Sequence, residues 1–237
     1  MLTRSPARSR RISALVLAAV TGLALTSCSK DDAGPSASPE DVMAQAKQKL
    51  DETSGVNLTL STSDLPADVQ GIEKATGTGT HAPAFDGTIT VVLSGQAFDV
   101  PVIAVDGKVY AQIPLTPGWQ DIDPGDYGAP DPAMLMDTDK GFSSLLPATT
   151  GLEAGQSVRG GANNDEILTE YTGTVPGDVV KNVIPSASGD FDATYTVSED
   201  GELRQATLTG VFYPDSDSMT YTVSFDDYGT EKEISAP

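Results

Sequence analysis

The chain has 237 residues, with 34 acidic and 14 basic side chains and a formal net charge of −20. Such a surface repels phosphate backbones and anionic headgroups, which excludes nucleic acid as a partner and excludes charge-driven adsorption to a membrane. One cysteine and one histidine leave no disulfide within the chain and no histidine-based metal cluster.

Four arginines (Arg4, Arg8, Arg10, Arg11) precede an uncharged run from Ile12 to Leu25 rich in Ala, Val and Leu. This is a positive n-region followed by an h-region, shorter than the roughly 20 apolar residues that span a bilayer. Leu25-Thr26-Ser27-Cys28 then fits a bacterial lipobox. Small residues let the signal peptidase close around an extended backbone, and the cysteine thiol carries the diacylglyceryl group. The rival is an ordinary secretory leader with an incidental cysteine. The sequence therefore predicts a signal peptide over 1–27 and a lipid anchor on Cys28. That anchor would hold the chain on the extracytoplasmic face of the plasma membrane, and a two-chain anchor suffices for stable attachment. The mature chain of about 210 residues is long enough for one domain with a real core. With the leader arginines gone, its charge is more negative still.

Residues 28–38 (CSKDDAGPSAS) are small and polar and read as the lipidated cysteine and a flexible tether. A single domain is expected over 39–237. It opens on a helix: Ser38 suits the N-cap, Pro39 the first position, and Glu40 and Asp41 the positive end of the dipole. Val42, Ala46 and Leu50, with Met43 beside them, make one apolar stripe that Gly55 ends. Strand patterns follow at Val56–Ser61, Thr76–His81, Thr88–Leu93, Phe98–Val105 and Lys108–Ile113, the last two joined by Asp106-Gly107, a type I′ hairpin signal. Between Pro114 and Pro147 lie Trp119, several prolines and glycines, and two short helical segments at Pro132–Met136 and Phe142–Leu146. Strands resume at Gln156–Arg159 and Glu166–Thr174. A short helix runs to Val183, and an antiparallel meander closes the chain at Phe191–Val197, Glu202–Phe212 and Thr220–Phe225. In the last strand Tyr221, Val223 and Phe225 share one face. A sheet of about nine strands with so little helix to cover it must curl, and its concave face is either incompletely covered or fully packed.

Support for catalysis is thin. His81, in a Thr/Gly-rich strand, reads as an exposed residue rather than a base, and no G-x-S-x-G elbow is present. Asp137-Thr138-Asp139-Lys140-Gly141 and Asp215-Ser216-Asp217 begin like calcium loops but do not continue as one, and read as solvated turns. Trp119 reads as a plug on one end of the core, with a ligand platform as the alternative. No cofactor is expected.

In order and spacing, these features resemble the LppX/LprA/LprF/LprG family of actinobacterial lipoproteins, nearest its LprG branch. Lipobox, tether and helix lead to Val105-Asp106-Gly107-Lys108-Val109-Tyr110-Ala111, similar to the family's central hairpin. Trp119 precedes an Asp, and Asp131-Pro132 with Gly141-Phe142-Ser143-Ser144-Leu145-Leu146 looks like its D-P…G-L-x-x-L-L segment. The resemblance implies an α+β fold, a strongly curved antiparallel β half-barrel wrapped over a few helices with an apolar cavity between them, similar to the LolA/LolB carriers. It also implies binding of acylated lipids or triacylated glycolipids, their transfer from the plasma membrane toward the outer envelope, and a link to a major-facilitator-type transporter. Enzymatic activity is not implied.

The residue pattern is compatible with that function, since acyl chains need only an apolar lining. Ile89 matches an apolar position of the family's cavity wall, and by period two Val91 and Leu93 share its face. Phe98, Val100, Val102 and Ala104 form the apolar face of the next strand, whose other face carries Asp99 and Pro101. Leu145 and Leu146 are expected to line or gate the entrance. Residues 123–130 and the acidic, Gly-rich 151–165 depart from the family pattern, which leaves the lipid's identity open. The rival reading is a structural or interaction lipoprotein with a closed core, binding a partner or cell-wall polymer through its acidic surface. A hydrolase is the weaker third.

Overall fold

Helix α1 spans Pro39–Glu52. The Ser38 hydroxyl accepts from the Asp41 amide at 3.2 Å, and the Asp41 carboxylate accepts from the Ser38 amide at 3.3 Å, closing a capping box with aspartate in the usual glutamate position. Met43, Ala46 and Leu50 are buried along one stripe, and Val42 is half-buried at its margin. In the computed structural model, residues 37–127, 129–161 and 164–237 are described. The expected leader, Cys28 and nearly all of the tether lie outside them.

The chain then builds one eleven-stranded sheet, entirely antiparallel. A first meander comprises β1 (Gly55–Ser61), β2 (Gly71–Thr80), β3 (Ala84–Leu93), β4 (Gln96–Val105), β5 (Lys108–Ala111) and β6 (Gln120–Ile122). A second comprises β7 (Thr150–Gly160), β8 (Glu166–Val175), β9 (Ser188–Ser198), β10 (Leu203–Val211) and β11 (Met219–Asp226). The first strand of one pairs with the last strand of the other, Leu58 opposite Phe225. That junction makes a single sheet with β6 and β7 as its free edges. The expected sheet was about nine strands, and the structure adds to it. β6 is too short to show alternation, and β2 begins at Gly71, ahead of a bulge between Ile72 and Lys74.

The topology dictates how the sheet is covered. Because β6 and β7 stand at opposite edges, the segment joining them must cross the whole concave face. It does so through 3-10 turns at Pro124–Tyr127, Pro132–Met136 and Phe142–Ser144, followed by one turn of helix α2, Leu145–Ala148. The Pro132–Met136 turn packs on β2, β3 and β4, while α1 packs on α2, β7 and β10. Helix α3 (Gly177–Val183) packs on β9. Lys47 and Asp51 of α1 tie the crossing in place. The ammonium of Lys47 donates to Asp51 at 2.6 Å, to the Thr138 carbonyl at 2.5 Å and to the Ser143 hydroxyl at 3.2 Å, and that hydroxyl donates to Asp51 at 2.6 Å.

Both halves of the sheet bury one face, but not equally. Under the second meander Phe191, Tyr195, Leu203, Phe212, Met219 and Phe225 are essentially inaccessible. Phe212 stands edge-on to Phe191 and Tyr221, with ring centroids 4.8 Å away in each case. Under the first meander the inward residues Ile89 and Val91 of β3 and Phe98 and Val100 of β4 are only half-buried, and Leu93 is exposed. Asp106 and Gly107 both hold positive φ, 54° and 71°, as the expected type I′ turn requires, and Ser94-Gly95 repeats the pattern at 52° and 75°.

Candidate functional site

The half-covered end of the first meander encloses a cavity of about 560 Å³. Its sheet wall is Ile89, Val91 and Leu93 of β3 with Phe98, Val100 and Val102 of β4, and Val109 and Ala111 of β5 extend it. Alternation puts these on one face, since Ile89 stands opposite Val100 and Val91 opposite Phe98. The far wall comes from the crossing and the β5–β6 loop: Ile113, Pro114, Leu115, Ile122, Pro124, Ala129, Pro130 and Pro132. Asp126, exposed at the rim, is the one charged residue in the described lining.

A second chamber of about 120 Å³ lies deeper, between the crossing and the centre of the sheet. Leu58, Leu60, Phe85, Leu145, Phe142, Val223 and Phe225 are among its walls. Ile72, Ile89, Pro130, Pro132 and Tyr213 border both spaces, so they form the partition. A closed ring of hydrogen bonds fixes that partition at the β2 bulge. The Ile72 amide donates to the Tyr213 hydroxyl at 3.1 Å, and the Tyr221 hydroxyl donates to the Ile72 carbonyl. Having used its proton there, Tyr221 must accept from Tyr213, at 2.9 Å. The Ile72 peptide groups and both phenols are thereby satisfied within an apolar surround. Burial first, and the neighbouring Tyr213 second, push the Tyr221 phenol well above its ordinary range.

Of the residues singled out from sequence, Ile89, Val91, Leu93, Phe98, Val100 and Val102 come together on the larger cavity. Leu145 belongs to the inner chamber. Ala104 and Leu146 are fully buried in the core and line neither space, and since Leu145 is equally inaccessible, neither leucine stands at the entrance. Sequence reasoning missed Ile72, Ile113, Pro130, Pro132 and Tyr213. The apolar run Ile113-Pro114-Leu115 after the hairpin was the available signal for the first part of that wall.

Other expectations change. His81 is half-buried rather than exposed: Nε2 lies 2.5 Å from the Leu50 carbonyl, and its backbone amide bonds Ser54. It links the C-terminal turn of α1 to the end of β2. Trp119 is half-buried and is found neither in the core nor on either cavity wall, so it does not plug the core. Asp137 spends Oδ1 on the amides of Asp139 and Lys140, at 3.0 and 2.7 Å, which makes that segment an Asx-type turn.

An open antiparallel half-barrel with an apolar chamber under its crossing segment defines a class of half-barrel proteins with an apolar interior. Within that class the chain belongs to the LppX_LprAFG lipoprotein family, whose pattern matches residues 38–235. It is 26% identical over 240 residues to the lipoarabinomannan carrier protein LprG of Mycobacteroides abscessus, covering 97% of this chain and 99% of that one. Its fold is that of LprF from Mycobacterium bovis (TM-score 0.67, 12% identity, 84% of this chain and 96% of that one). LppX from Mycobacterium tuberculosis shares it as well (TM-score 0.60, 18% identity, 84% and 100%).

Proposed function

We propose that this protein is an envelope lipid carrier. It binds the acyl chains of lipids or glycolipids in the cavity under β3 and β4 and moves them from the plasma membrane toward the outer envelope without chemical change. The observation that carries this reading is a cavity of about 560 Å³ whose described lining is apolar apart from Gln70 and Asp126 at its exposed rim. Each methylene moved from water into such a space gains about 0.8 kcal/mol. Burying about ten methylenes would thus offer about 8 kcal/mol, before the costs of ordering the ligand. Ile89, Val91, Leu93, Phe98, Val100 and Val102 are assigned to acyl contact, and Leu145 to the inner chamber. Two kinds of lipid take part: a covalent one on Cys28, holding the chain at the extracytoplasmic face of the plasma membrane, and an exchangeable one in the cavity. Coupling to a major-facilitator-type transporter belongs to the same reading. The relatives' description as lipoarabinomannan carriers favours a glycolipid cargo.

The test is native mass spectrometry of the mature chain carrying Cys28→Ser, purified from a lipid-containing host. Stoichiometric copurified lipid is expected. Protein that is empty and also fails to take up fluorescent acyl probes would sink the carrier reading.

A further inference from the structure

The mouth of the cavity can be located from residues that line it and yet face solvent. They are Gln70, Leu93, Pro114, Leu115 and Asp126. Leu115 stands out because it is fully exposed, at 106% of its reference surface. It also holds φ at 68°, a region that a bulky branched side chain rarely occupies. The Thr116 amide bonds the Ile113 carbonyl at 3.0 Å, so Pro114 and Leu115 are the central residues of a type II turn. The second of those positions ordinarily takes glycine. Here the chain holds a large apolar side chain at the tip of a proline-stiffened turn, pointing into water.

The surroundings match in charge. Residues 112–120 carry no charge, nor do residues 87–98, in a chain with 34 acidic side chains. The two stretches lie at the same end of the sheet. Leu93 pairs with Gln96 at the tip of the β3–β4 hairpin, and the Gln112 amide bonds the Pro101 carbonyl, which sets the β5–β6 loop beside the first half of β4. Leu93 is itself 38% exposed. An uncharged, largely apolar stretch of rim that includes Leu93 and Leu115 thus borders the opening of an apolar cavity on a strongly acidic body, with Asp126 the one charged residue in the described lining.

We propose that this rim docks on a lipid bilayer, with Leu115 inserted among the acyl chains and Leu93 resting beside it. Cargo then passes between bilayer and cavity without crossing water. The proposal rests on the carrier reading, because it is the bilayer origin of the cargo that selects a membrane over a protein partner at this face. Attraction is by burial and not by charge. Zwitterionic surfaces are therefore preferred, and anionic ones are resisted by the surrounding carboxylates until salt screens them.

The experiment incubates the mature chain carrying Cys28→Ser with phosphatidylcholine vesicles. After sedimentation it measures protein in the pellet, phospholipid remaining with protein in the supernatant, and the emission of Trp119, the chain's only tryptophan. Wild-type protein is expected to co-sediment with a blue shift of Trp119. Leu115→Asp is expected to lower vesicle affinity about tenfold or more, the scale of losing one buried leucine, and to abolish the shift. Vesicles of phosphatidylglycerol should bind more weakly at low salt and recover as salt rises. Equal co-sedimentation of wild type and Leu115→Asp overturns the docking proposal, and lipid found with the protein in the supernatant would then leave the carrier reading standing. A chain that neither co-sediments nor extracts lipid overturns both.

Discussion

Replacing Ile89 by tryptophan tests the placement of the acyl site most directly. Ile89 borders both the larger cavity and the inner chamber, and it sits on a half-buried stretch of β3 opposite Val100. An indole adds about six heavy atoms to the volume of an isoleucine side chain. At this position they project into the partition, displacing roughly four methylenes of any chain that passes it, a loss of about 3 kcal/mol. That corresponds to an affinity reduced by roughly two orders of magnitude. The same substitution in a closed core would cost about 1–3 kcal/mol of stability through overpacking. At a cavity wall the ring has space to occupy, so the melting temperature should fall by less than ~4 °C. The assay is titration with a fluorescent acyl probe, paired with thermal melts of both proteins. A folded Ile89→Trp variant that binds the probe with wild-type affinity would refute this location of the site. A variant that unfolds would show that Ile89 is core.

Two further outcomes follow from the packing. Burial raises the Tyr195 phenol to about 12 and pushes Tyr221 and Tyr228 up as well. Below pH ~10 both folded and unfolded chains keep these protons. Above it the unfolded chain releases them while the folded chain holds them, so the unfolded state binds fewer protons and stability falls as pH rises. For Tyr195 the loss between pH ~10 and ~12 is roughly 2–3 kcal/mol. Denaturant unfolding across that range should show the decline, with a smaller slope for Tyr195→Phe; a flat profile would contradict the burial. Separately, a Cβ on Gly87 would lie 2.2 Å from the Thr76 carbonyl oxygen of the neighbouring strand and 2.7 Å from the Phe85 ring. Gly87→Ala should therefore cost about 3 kcal/mol, read as a drop of about 6 °C or more in melting temperature, and a shift under a degree would count against the close approach there.

The parts of the fold legible in the sequence are those in which local chemistry and tertiary burial agree. α1 carries its own cap and stripe, the β4–β5 hairpin carries Asp106-Gly107, and β11 alternates Tyr221, Val223 and Phe225 against Thr222 and Ser224. β7 shows the opposite case. It runs from Thr150 to Gly160, far longer than Gln156–Arg159, because an exposed edge strand with two register shifts has little to alternate. Leu152 and Val158 are its only side chains of any size turned inward. The order of strands was not legible either. Nothing local announces that β1 pairs with β11, since that contact is made by residues more than 160 positions apart.

The site was half legible for the same reason. Its sheet wall follows period two along β3 and β4, and six inward residues follow from that alone. Where the cavity stops is a matter of coverage. Ala104 lies two residues beyond Val102 on the same face and is fully buried, and nothing in its own strand distinguishes it from Val100. The distinction is made by the segment joining β6 to β7, whose path is dictated by those strands standing at opposite edges of the sheet. Prolines at 124, 130 and 132 hold that segment in turns rather than in one long helix, so it covers the closed half tightly and the open half loosely. The rival reading of a closed core needed a crossing that packed everywhere. The same crossing that seals Leu145 and Leu146 into the core leaves Ile89 to Leu93 only half-covered, and this unevenness is what gives the half-barrel an interior.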